Sequence, residues 1–249
     1  MTETANKDDE SGSKEMPLIA HIAELRRVLI RSGCALIICA IPCGYYWKQI
    51  FDLVVSRTLE LCEPLSVRII YTAPAESVML SIKIALICGL MLSSPIIFQQ
   101  AWSFVSPALY KKEKLLLLPT AFASTICFLA GIAFSYYTLP FVLKFLTEFA
   151  TGTLEPFFRV DEYFGFLIKI SFSFGLAFQL PVLAFVLSKI GLIDHKFLLR
   201  NFRYAIVLIF IVAAILTPPD VFSQVLLACP LLLLYALSIL ISFFARKKQ

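Results

Sequence analysis

The chain has 249 residues, 59% of them hydrophobic, with a mean hydropathy of +0.85. An average soluble domain is about 45–50% apolar, and here the excess lies in runs too long for core helices, which marks a polytopic membrane protein. The net charge of +5 is small for nucleic-acid binding and fits the Lys/Arg bias of cytoplasmic loops. Seven cysteines without a CxxC pair indicate neither a disulfide framework nor a structural zinc site, and six of them lie in apolar runs and read as small buried hydrophobes.

Residues 1–15 are polar and charged and read as a disordered tail. No cleavable signal is expected, because about 27 polar or amphipathic residues precede the first apolar run and no small-residue cleavage site follows it. Met16-Pro17 opens an amphipathic helix that runs on into the membrane. Leu18, Ile22, Leu25 and Leu29 form one face; Ala20, Glu24, Arg27 and Arg31 form another. Six apolar segments follow, near 28–47, 77–97, 115–138, 162–188, 202–216 and 221–244. Most approach the roughly 20 residues that a spanning helix needs. The fifth is short, reaching about 22 Å against a hydrocarbon core of about 30 Å. Pro42, Pro95, Pro119, Pro181 and Pro230 fall within spans, so a bent bundle is expected.

The connections alternate in charge. One side collects Arg26, Arg27, Arg31, Lys111, Lys112, Lys114, Lys189, Lys196, Arg200, Arg203, Arg246, Lys247 and Lys248; the other holds Lys48, Arg57, Arg68, Lys144 and Arg159. The positive-inside rule makes both termini cytoplasmic. The outer connections 48–76 and 139–161 read as short interfacial helices with turns, able to cap the bundle. The stretch Phe98 to Lys114 reads as an aromatic, lysine-rich interruption at the cytoplasmic interface, with Ser106-Pro107 starting a new helix.

Glu24 shares a helix face with Arg27 and Arg31, either as a structural ion pair or as an acceptor for a partner's guanidinium. Glu113 is the other lone carboxylate on that side. Two such carboxylates beside a membrane suit a ligand presenting two arginines, which bond carboxylates bidentately as lysine does not. Lys83 and Lys169 lie inside the outer span ends and read as snorkelling side chains. Thr217 to Asp220 fits a helix cap, with Gln224 one turn after Asp220; the alternative is a polar contact for a partner's transmembrane segment. His21 and His195 do not make a metal or haem site by themselves.

Three motifs together carry a resemblance: His21-x-x-Glu24-Leu25-Arg26, Phe104-x-x-Pro107-Ala108-Leu109-Tyr110-x-x-Glu113, and Thr217-Pro218-Pro219-Asp220-x-x-Ser223-Gln224. Over residues 16–244 the chain resembles TatC, the multispanning receptor family of the twin-arginine protein translocase. The resemblance implies an all-α membrane protein: a bent, cupped bundle of six transmembrane helices with both termini cytoplasmic, in the bacterial cytoplasmic membrane. It implies binding of twin-arginine signal peptides by Glu24 and Glu113, with Phe104, Pro107 and Leu109 on the same surface and Arg26 and Tyr110 inside the same motifs. Partners would be single-span TatA- and TatB-type subunits, with Gln179, Asp220 and Gln224 as partner-helix contacts and further copies of this chain in the complex. Transport would use the proton-motive force, with no cofactor and no metal, which agrees with the lack of a Gly-rich phosphate loop. Two departures stand out. Gln179 occupies a place in the fourth span where the family often has a glutamate, and Val28 replaces a common basic residue. The runner-up is an ion-coupled small-solute transporter with Lys83, Lys169 and Gln179 along its path, although no internal repeat supports it. An intramembrane enzyme ranks last, since neither HExxH nor GxSxG occurs.

Overall fold

The computed structural model describes residues 18–61, 68–105, 117–148, 157–217 and 221–245. The tails 1–15 and 246–249 lie outside these. The first helix, α1 (Leu18–Tyr45), is continuous, so the amphipathic opening and the first span are one rod. The chain turns at Tyr46 into α2 (Trp47–Leu61), the short helix expected in the first outer connection. Then come β1 (Arg68–Ile70), α3 (Glu76–Val105), α4 (Leu117–Glu148), β2 (Phe157–Arg159), α5 (Val160–Ala177), α6 (Leu180–Ile190), α7 (His195–Arg200), α8 (Phe202–Leu216) and α9 (Val221–Ala245).

Five stretches are long and apolar enough to cross a membrane: Ile22–Tyr45, Glu76–Val105, Leu117–Phe145, Val160–Ile190 and Val221–Ala245. The short helix α8 has 15 residues, as its apolar run predicts. Large side chains such as Ile37, Ile41, Phe122, Ile126, Ile211 and Ile215 remain exposed, as expected of helices facing lipid.

Several expectations are corrected. Both α3 and α4 outrun their apolar segments, passing through Pro95 and Pro140 inside the helix. Residues 98–105 are therefore helix and not part of an interfacial loop, and 139–148 extend the third span instead of forming a separate helix. Pro119 lies in the first described turn of α4; Pro181 lies in the first turn of α6, so it does not bend a helix interior. The fourth span instead breaks at Phe178-Gln179, just before Pro181; a proline near a helix start needs no amide donor. Two strands were not foreseen. They pair in parallel, Arg68 opposite Phe157 and Ile70 opposite Arg159, and three residues are too few for an alternating pattern to register. Cys34 and Cys229 are exposed and not buried.

Helices in lipid gain little from burying apolar surface against one another, so close backbone approach through small residues matters more. The most extensive helix pairing here is α1 with α3. A Cβ placed on Gly89 would lie 2.8 Å from the Ala40 Cα, and one on Gly44 would lie 3.4 Å from the Ala85 Cβ. The two contacts give an antiparallel register. A similar approach sets Gly131 against the Phe174 carbonyl, where a Cβ would lie 2.6 Å from its oxygen. The core then fills with Leu80, Ile84, Leu139, Phe164, Phe174 and Leu227. A second cluster joins Trp102, Ala121, Val182 and Val186.

Gly89→Val should destabilise the fold by about 3 kcal/mol or more, at the upper end of overpacking costs, because backbone blocks the new side chain. Gly165→Ala, whose Cβ would meet nothing within 4 Å, should be neutral or stabilising by up to about 1 kcal/mol. Thermal unfolding in detergent checks both.

Candidate functional site

The α1–α3 register positions the site. From the Ala40–Gly89 contact both helices run on sixteen residues, to Glu24 on α1 and to Val105 on α3, so the two lie toward the same end of the pair, where α3 leads into residues 106–116. Glu24 is half-exposed and Arg26 exposed; Phe104 is half-buried on the last turn of α3. None of the ion pairs among the described residues involves Glu24, Arg26, Arg27 or Arg31. The intrahelical pair from Glu24 to Arg27 is therefore not made. Pro107, Leu109, Tyr110 and Glu113 lie outside the described residues, as does the Ser106-Pro107 helix start.

What fixes this end of α3 is a buried polar network that the sequence did not reveal. The indole Nε1–H of Trp102 donates to the Ser124 Oγ at 2.8 Å, and the Gln179 Nε2 donates to the Ser124 carbonyl at 2.9 Å. Trp102 and Gln179 are each 8% exposed and Ser124 is fully buried. Three elements thus meet at one serine: the last turns of α3, the first third of α4, and the break between α5 and α6. Trp102 is a core residue and not an interfacial anchor. Gln179 points into the protein with its amide engaged, so it does not present itself to a partner helix as expected. Its signal in the sequence was being polar within an apolar span; Ser124 had none beyond that.

The expected cap over Thr217 to Asp220 lies only in part among the described residues, at Thr217. Its hydroxyl donates back to the Ala213 carbonyl at 2.9 Å and closes α8; residues 218–220, Asp220 included, lie outside the described residues. Gln224 donates from Nε2 to the Phe210 carbonyl at 3.0 Å. It borders a shallow groove of about 360 Å³ lined by Ile206, Val207, Phe210, Ile211 and Ala214.

The opposite end of the bundle carries a charge clamp. Arg159, at the end of β2, donates from Nη2 to Glu76 Oε1 at 2.8 Å, from Nε to the Thr72 Oγ1 at 3.1 Å, and from Nη1 to Glu162 Oε1 at 3.3 Å. The Thr72 amide donates to Glu76 Oε2 at 2.9 Å, and the Thr72 hydroxyl donates to the other carboxylate oxygen. The hydrogen bond to Glu76, and then their mutual attraction, holds the Arg159 pKa above its ordinary value. Lys83 pairs with Asp161, so it does not simply snorkel to water. Lys169 makes no ion pair among the described residues. Between the two ends, α2 to α5 enclose an apolar cavity of about 330 Å³ lined by Leu53, Ile84, Met91, Ile132 and Phe164, with Ser171 at its wall. Among the described residues no cluster could hold a metal ion.

Residues 20–230 match the family model for the Sec-independent protein translocase protein TatC. The chain belongs to the TatC family. It is 42% identical to the TatC of Helicobacter pylori J99 over 223 residues, 89% of this chain and 87% of that protein. It is 38% identical to the TatC of Aquifex aeolicus over 237 residues, covering 94% and 98%. A crystal structure of a twin arginine translocase receptor TatC superposes with a TM-score of 0.81 at 38% identity, over 90% of this chain and 99% of that one. A second, in DDM, gives 0.80 at 38% identity over 88% and 98%. As a TatC, the chain is a multi-pass bacterial inner-membrane component of a protein translocase and not an enzyme.

Arg159→Met removes the donor that ties Glu76, Thr72 and Glu162 together and leaves Glu76, 7% exposed, without its counter-charge. The variant should unfold at lower temperature in detergent and lose the connection between α2 and α3 faster to protease. Lys169→Met should match the parent in both.

Proposed function

We propose that this chain is the receptor core of a twin-arginine translocase: it binds the paired arginines of signal peptides on folded precursors. The observation that supports this reading is the Glu24 carboxylate, which makes no ion pair among the described residues and lies toward the same end of the α1–α3 pair as the residues that lead to Glu113. A guanidinium bonds a carboxylate through two parallel N–H donors, and two carboxylates accommodate two arginines. Phe104, Pro107, Leu109 and Tyr110 would supply the apolar and aromatic surround, and Arg26 a positive limit to the surface. The proposal includes six crossings, counting the short α8, with both termini in the cytoplasm, and transport driven by the proton-motive force.

Single-span TatA- and TatB-type subunits are the proposed partners. The groove beside Gln224, open and almost wholly apolar, supports docking of a transmembrane segment there, with Asp220 adjoining in sequence. A role for Gln179 would run through the helix break that it pins to Ser124. The solute-transporter alternative loses its path, because Lys83 and Gln179 are both engaged within the chain.

The test is binding of a twin-arginine signal peptide to the purified chain, against the same peptide with two lysines. The arginine peptide should bind at least about tenfold tighter, since charged hydrogen bonds contribute about 1.5–3 kcal/mol each. Glu24→Ala with Glu113→Ala should remove that preference while leaving the melting temperature within a few degrees. An equal affinity for both peptides in the parent chain and the double variant, with partner subunits present, contradicts the proposal.

A further inference from the structure

At the end of the bundle that carries the proposed receptor surface, the elbow between α7 and α8 makes a second, separate feature. Asn201 alone joins the two helices. Its N–H donates to the Phe197 carbonyl at 3.1 Å, and its own carbonyl accepts from Tyr204 and Ala205 at 3.0 and 3.1 Å. This one-residue elbow holds Arg200, the last residue of α7, and Arg203, the second of α8, around a pocket of about 300 Å³. Phe197, Asn201 and Tyr204 complete its lining. The Arg203 guanidinium packs on the Tyr204 ring, 4.8 Å from its centroid, and Nη2 donates to the Tyr204 Oη at 3.0 Å. The elbow is anchored from behind, where the Tyr235 hydroxyl donates to the Leu198 carbonyl at 3.0 Å.

The pocket is basic without compensation: no ion pair among the described residues involves Arg200 or Arg203. One to three turns further along α8, Leu208, Val212 and Ile215 are exposed apolar side chains. Both arginines therefore sit where apolar helix gives way to polar surface, and Tyr204, 61% exposed, has the place of an interfacial aromatic. Guanidinium forks hold carboxylates and phosphates alike, and the phosphate is the anion that every anionic phospholipid presents at this depth. Basic pockets at the ends of membrane helices take phospholipid headgroups.

We propose that the Arg200–Arg203 pocket binds the phosphate of an anionic phospholipid, whose acyl chains lie along the exposed face of α8 at Leu208 and Ile215, beside and not within the groove at Gln224. The occupant fixes the elbow and, with it, the depth at which the short α8 sits. It is the lipid and not a soluble phosphate, because the exposed apolar face of α8 begins one helical turn from the pocket, at Leu208.

The test is native mass spectrometry of the delipidated full chain in mild detergent, titrated with phosphatidylglycerol or phosphatidylcholine. The parent chain should retain phosphatidylglycerol in preference. Arg200→Gln with Arg203→Gln should weaken it about thirtyfold, two contributions of roughly fivefold each. Arg203→Lys keeps the charge, loses the fork and should weaken it severalfold. Lys189→Gln with Lys196→Gln, which removes two neighbouring cations outside the pocket, should leave the affinity unchanged. Equal retention of the two lipids, undiminished phosphatidylglycerol binding by the double-arginine variant, or displacement of the lipid by millimolar glycerol 3-phosphate would each overturn the assignment.

Discussion

Everything at the proposed receptor end depends on how closely α1 and α3 approach. Lipid offers little incentive for two apolar rods to associate, so the contact is made by shape: Gly89 lets the backbone of α3 settle onto Ala40, and Gly44 does the same for Ala85. This contact carries a register. Helices rise by 1.5 Å per residue, so a fixed antiparallel contact near the middle of two rods determines which residues lie level at their ends. Glu24 and the exit of α3 are brought toward the same end through a glycine more than 20 Å away along the helix axis, by that same rise.

The rod α3 is tied at both ends by polar groups, and the two ties differ in kind. At the proposed receptor end the tie is neutral and buried: Trp102 and Gln179 converge on Ser124 from two directions. Interhelical hydrogen bonds in membranes contribute only about 0.6–2 kcal/mol each, so their value lies in direction. They fix the rotation of the last turn of α3, and hence where Phe104 stands. At the other end the tie is ionic and half-exposed. Arg159 joins β2 to Glu76, the first residue of α3, and to Thr72 just after β1. The two-stranded ribbon is too small to persist alone, and the clamp links its end to the bundle.

The apolar helices were legible because length and hydropathy determine them: α8 and α9 fall on residues 202–216 and 221–245, beside expected segments of 202–216 and 221–244. Helix ends were less legible. Polar residues such as Gln99 and Gln100 look like a loop to a hydropathy reading, whereas in the structure they lie on a helix that continues beyond the apolar run. The ribbon was invisible, being three residues per strand and set by contacts between distant segments. Of the proposed site, Glu24 was singled out by its motif and its charge, and that it makes no ion pair among the described residues was decided only by side-chain geometry. Trp102 and Ser124 were missed because their roles arise from convergence of separate helices. Gln179 was noticed for its polarity but given an outward role, since sequence does not tell which side of a span faces the interior.

The central claim is that the paired arginines of a signal peptide rest between the start of α1 and the exit of α3. The most direct measurement is site-specific photocross-linking from a photoreactive residue beside the arginine pair, followed by mapping of the labelled peptides of this chain. The account predicts labels within residues 22–26 and 104–113. Labels concentrated instead on α8, α9 or the ribbon end would contradict it.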